Sequence, residues 1–96
     1  MSNLLASNQQ AVQKLLELFD IGYLLSSDEK FQQEVSKFTD AKKLEDYVLT
    51  KANKMIHKQY QVREPSTIEA LCNMIISSKK YNYFVLPLTN RVIEIV

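Results

Sequence analysis

From residue 41 to residue 59 the chain reads AKKLEDYVLTKANKMIHKQ, with no glycine or proline and with apolar groups at helical spacing. A helix of that length is stable in water only when one side of it is buried, so the remaining segments are expected to pack around it. At about 100° per residue, Leu44, Val48, Ala52, Met55 and Ile56 share one side, which is the expected core face. Lys43, Tyr47, Lys51, Lys54 and Lys58 line one edge of that stripe, and Glu45 and Asp46 are read as projecting elsewhere. Lysine stems cover apolar surface while their charges stay in water, so a solvated edge is the plain account of the row. The functional account is a contact surface for an acidic protein partner, extended beyond the helix by Tyr60 and Arg63.

The chain of 96 residues holds one glycine and two prolines, which favours helices over strands and turns. The same scarcity excludes the glycine-rich loops that cradle dinucleotides and phosphates. With 46% hydrophobic and 24% charged residues, the sequence reads as a single globular domain over 1–96. Its net charge of +1 hides an uneven distribution: residues 1–40 carry three lysines against six acidic groups, and residues 41–80 eight basic groups against four acidic. Such asymmetry can steer a partner or pair one half of the fold with the other.

Cys72 is alone, so there is no internal disulfide and no sign of a secreted disulfide scaffold. The opening MSNLLASNQQ lacks the basic and apolar regions of a signal peptide. No stretch approaches the ~20 apolar residues of a membrane span. Together with the lack of an Asn-x-Ser/Thr sequon, this predicts a cytoplasmic protein with no membrane association.

Ser7-Asn8-Gln9-Gln10 has the form of a capping box, in which serine and glutamine side chains satisfy orphan backbone donors, and it predicts a first helix over about 8–20. Gly22 reads as its left-handed stop, and Tyr23, Leu24 and Leu25 as an apolar connection. A second box, Ser26-Ser27-Asp28-Glu29, opens a helix over about 27–38, and Thr39 or Asp40 caps the long helix over 41–59. After a break at Gln61 to Pro65, the box Ser66-Thr67-Ile68-Glu69 opens a helix over about 67–79. The last segment, YNYFVLPLTNRVIEIV, turns aromatic and β-branched and predicts strands at Tyr81–Leu86 and Arg91–Val96 around Pro87-Leu88-Thr89-Asn90. Val92, Ile93, Ile95 and Val96 put apolar groups on both faces of the last strand, which is therefore either covered twice or an edge for another chain. The expected fold is mainly α (α+β), a four-helix compact domain with a C-terminal β-hairpin.

Chemistry is sparse. His57, the one histidine, falls opposite the apolar stripe and reads as exposed, and a lone His with a lone Cys cannot make an ordinary zinc site. Cys72 lies among Ile68 and Ile75, where a thiol behaves as a small hydrophobe rather than a nucleophile. Asp28-Glu29 and Glu45-Asp46 read as first-turn carboxylates favoured by the helix dipole. Tyr47, Tyr60, Tyr81 and Tyr83 lie in or near the basic half, where each ring packs its body in the core, stacks on bases or anchors a protein interface. No catalytic residue, metal or cofactor is expected.

These readings predict a small non-enzymatic, cytosolic protein-binding module that acts as an inhibitor, immunity protein or regulator, of the kind bacteria and their phages use. The alternative is a winged-helix-like, nucleic-acid-binding transcriptional regulator, with a recognition helix from Ser66 and a wing at Pro87–Asn90. Pairing of two copies through the C-terminal strand is compatible with either reading.

Overall fold

The computed structural model describes residues 2–94, with side chains described from Gln9 onward. It is mostly helical: α1 (Ser2–Leu18), α2 (Tyr23–Ser27), α3 (Glu29–Ser36), α4 (Ala41–Gln59) and α5 (Ile68–Ser78) precede a hairpin of β1 (Tyr83–Leu86) and β2 (Arg91–Glu94). The mainly α domain ending in a β-hairpin is therefore as the sequence predicts, with one helix more than expected among the described residues. The predicted strand residues Ile95 and Val96 lie outside them.

Of three helix starts, α4 is capped by Asp40, one of the two residues expected to do so, whereas the boxes at 26–29 and 66–69 cap from Asp28 and Thr67 and not from their first serines, Ser26 and Ser66. Asp28 accepts the Phe31 N–H at 3.1 Å, Asp40 the Lys43 N–H at 3.0 Å and Thr67 the Ala70 N–H at 3.0 Å. Ser26 and Ser27 cap nothing; their hydroxyls turn back to the carbonyls of Tyr23 and Leu24, because the apolar connection winds into α2 and buries Leu24 and Leu25. Ser7 does not start α1 either, since the helix already runs through it from Ser2. Leucine and alanine on its N-terminal side sustain a helix, and no glycine or proline interrupts the run, so the capping motif is passed over.

The helix ends correct the reading of Gly22. Its φ is −57°, ordinary right-handed backbone at the start of α2. A Cβ there would stand 2.9 Å from Glu17 Cγ and 3.0 Å from Gln13 Nε2, so the glycine allows close approach to α1 instead of reversing the chain. The left-handed positions at helix ends belong to Asp20 (φ 62°), Gln61 (φ 55°) and Lys80 (φ 59°), and a fourth, Asn90 (φ 59°), lies in the hairpin turn. At all three helix ends the following N–H reaches back five residues, Ile21 to Leu16, Val62 to His57 and Tyr81 to Ile76, at 2.9–3.0 Å. This is the Schellman closure, made three times without glycine.

The core face of α4 is broader than the predicted stripe. Leu49 joins Leu44, Val48, Ala52 and Ile56 in the interior, and Met55 is only partly covered. Against it pack Val12, Leu15 and Leu16 of α1 with Phe19 just past its end, Phe31 and Val35 of α3, and Leu71, Cys72, Ile75 and Ile76 of α5. The hairpin closes the core with Phe84, Leu86 and Ile93, and Phe84 meets Phe19 edge to face at 6.0 Å. β1 begins at Tyr83 and not Tyr81, because the closure at Lys80 commits the Tyr81 N–H to α5. Val85 pairs with Val92 and Tyr83 with Glu94 on the outer face of the sheet, away from the helices.

Candidate binding surface

The exposed edge of α4 is not one uniform row. Tyr47 packs on α3, its ring stacked on Phe31 at 6.0 Å and tilted against Phe38 at 5.2 Å. Lys51 sits 5.2 Å over the Phe31 ring and 3.8 Å from Asp28. Tyr60 donates its hydroxyl proton to Asp20 at 2.7 Å. The predicted row therefore divides, with Tyr47, Lys51 and Tyr60 serving contacts within the fold. Lys43, Lys54, Lys58 and Arg63 stay exposed, and among the described residues no carboxylate lies within 4 Å of them. A depression of about 240 Å³ opens between Tyr47, Thr50, Lys51 and Lys54.

The tyrosines divide in the same way. Tyr47 and Tyr60 are partly buried, and their phenols are pushed up, first by burial and then by nearby carboxylates, Tyr60 to about 12. Tyr81 and Tyr83 stand 49% and 56% exposed, and Tyr83 shares the outer face of the hairpin with Val85, Val92 and Glu94.

At the far end of α4 the C-termini of three helices converge on Asp20. Its Oδ2 accepts from Tyr60, the residue that ends α4, and its Oδ1 from the Lys79 ammonium at the end of α5, 2.9 Å away. Lys79 and then Tyr60 hold the Asp20 carboxyl below its ordinary range. The ammonium also meets the negative ends of the helix dipoles gathered there.

Glu45 overturns the reading of the paired carboxylates. It belongs to the second turn of α4, is 0% exposed, and faces the hairpin. Thr89 donates its hydroxyl proton to Oε2 at 2.8 Å, while Oε1 lies 4.0 Å from Arg91 Nη2, an ion-pair distance too long for a hydrogen bond. Among the described residues, Oε1 and the Nε and Nη2 of Arg91 have no hydrogen-bond partner. The signal was present in the sequence, since a wheel of about 100° per residue places Glu45 between Ala52 and Ile56, within the core stripe. Its neighbour Asp46 pairs with Lys42 at 2.9 Å on the surface.

His57 is likewise less exposed than predicted, with 22% of its side chain accessible. The loop after α4 folds back over it, fastened by Asn53 Nδ2 donating to the Pro65 carbonyl at 2.8 Å, and brings Glu64 within 3.8 Å of Nδ1. Cys72 is buried, and burial pushes its thiol up to about 12, which leaves no thiolate at neutral pH. Among the described residues no three His, Cys, Asp or Glu side chains are grouped to hold a metal, and no helix is long and apolar enough to cross a membrane. Compared with protein-family models, with curated proteins and with solved structures, the chain matches none.

Proposed function

We propose that this protein is a non-catalytic protein-binding module, an inhibitor, immunity protein or regulator, that captures an acidic partner along α4. What supports the reading is a set of exposed cations that meet no carboxylate within 4 Å among the described residues: Lys43, Lys54 and Lys58 on α4, with Arg63 beyond them. At ~1.5 Å per residue the three lysines stand about 16 and 6 Å apart along the axis, a spacing that another protein's acidic surface can meet. Such exposed charges chiefly set encounter rate and specificity, and their contribution is screened by salt.

An immobilised wild-type chain is expected to retain a defined protein from cell extract. A variant carrying Lys43→Glu, Lys54→Glu and Lys58→Glu should keep its helical circular dichroism and lose that protein. Equal retention by the folded variant would overturn the reading.

The nucleic-acid reading predicts a different outcome. A random-sequence duplex followed by fluorescence anisotropy would then bind, and lose roughly a hundredfold in affinity between about 50 and 200 mM salt if four phosphates are contacted. It is disfavoured because α5, the helix in the recognition position, reads IEALCNMIISS and carries no Lys or Arg. Pairing of two copies through the C-terminal strand is favoured by the outward Val92, 51% exposed beside Val85. Sedimentation as a dimer that Val92→Lys returns to monomer would support it.

A further inference from the structure

We infer that the depression between Tyr47, Thr50, Lys51 and Lys54 is the subsite that seats a carboxylate side chain of the protein partner. The inference rests on the binding reading above and names where that partner is anchored. The four side chains lining the depression bring two ammonium groups and two hydroxyl donors, and no carboxylate is among them. Its volume, about 240 Å³, is below the ~300–1,000 Å³ usual for pockets that take small-molecule ligands, and suits a single inserted side chain.

Two of the four groups are already held in place. The Tyr47 ring is fixed between Phe31 and Phe38, and Lys51 is held over Phe31, so binding sacrifices little side-chain freedom. Lys54 contributes the uncompensated charge. The acidic groups that face Tyr47 from α3 are both countered, Asp28 by Lys51 at 3.8 Å and Glu34 by Lys37 at 3.6 Å. Since burial and those carboxylates raise the Tyr47 phenol, it remains a donor at neutral pH. The occupant is therefore an anion, and the unpaired Lys43 and Lys58 on the same edge call for further acidic groups around it.

Fluorescein-labelled oligoglutamate, with oligoglutamine as the uncharged control, is the probe. Binding is followed by anisotropy, and its location by amide chemical-shift mapping of the full chain. Oligoglutamate is expected to bind, to shift the Thr50, Lys51 and Lys54 amides, and to weaken about tenfold in a Tyr47→Phe/Thr50→Val variant that keeps both charge and ring packing. Wild-type affinity in that folded variant overturns the subsite. If Lys43→Glu/Lys58→Glu abolishes binding while Tyr47→Phe/Thr50→Val does not, the lysine edge stands as a contact surface and the subsite alone falls. Absence of oligoglutamate binding also overturns the subsite, and equal competition by a random-sequence duplex overturns its assignment to a protein carboxylate.

Discussion

Asp20 and Glu45 tie the molecule together near opposite ends of α4, and they do so under opposite conditions. Asp20 is in water, with 48% of its side chain accessible, and both its oxygens are satisfied, by Tyr60 at 2.7 Å and Lys79 at 2.9 Å. Glu45 is 0% exposed, and only one of its oxygens is satisfied, by Thr89 at 2.8 Å. By hydrogen-bond count Asp20 is the stronger junction. Solvent reverses the ranking, because water replaces whatever Asp20 loses, whereas loss of Glu45 strands a largely covered guanidinium with nothing to answer its charge. How much a contact stabilises depends less on how complete it is than on what takes its place when it breaks.

The largest expected effect therefore comes from Glu45→Ala, which should destabilise the fold by about 3 kcal/mol in urea unfolding. The companion Glu45→Leu/Arg91→Met, which removes both charges and keeps volume, should recover most of that loss. A double variant as unstable as the single one would break the comparison, since the damage would then not be an unanswered charge. Next comes Thr89→Val, which leaves Oε2 without its donor and should cost about 1.5 kcal/mol. A cost no larger than that of Tyr60→Phe at the exposed junction would erase the contrast.

The smallest effect belongs to Asp20→Asn, expected to cost roughly 0.5 kcal/mol at neutral pH and less in high salt. Because the folded Asp20 carboxyl titrates below the ordinary aspartate value of 3.8, its contribution is present in full above that value and is lost as pH falls through the folded pKa. The stability gap between wild type and Asp20→Asn should accordingly close on acidification below about pH 4, as read by urea midpoints. A gap unchanged down to about pH 2 would show that the carboxylate charge plays no part.

Much of this architecture was legible in the sequence because it rests on local signals. Asp40 caps α4 as expected, Asp28 and Thr67 cap α3 and α5 from inside their boxes in place of Ser26 and Ser66, and the run from Ala41 to Gln59 is helical throughout. Sequence and structure part where a tertiary contact decides the outcome. A wheel of α4 shows Tyr47 and Lys51 on an open edge, and only the placement of Phe31 and Phe38 reveals that α3 covers part of it. Glu45 reads as a first-turn carboxylate although its angle lies among the buried residues, and its partners Thr89 and Arg91 come from a hairpin more than forty residues away. Glycine's residue type points to Gly22 as the left-handed stop, yet Asp, Gln and Lys occupy the left-handed positions at the helix ends, because the backbone closure and the packing around each end offset the strain of a Cβ there.

The burial of Cys72 makes the protein a clock for its own opening. As the chain's one thiol, held to about 12 and shielded by α5 and the hairpin side of the core, it should react with a disulfide reagent only in molecules that have opened. Arg91 and Glu45 lie close enough to influence it, so loosening of the hairpin alone should quicken the labelling before the rest of the helical body gives way.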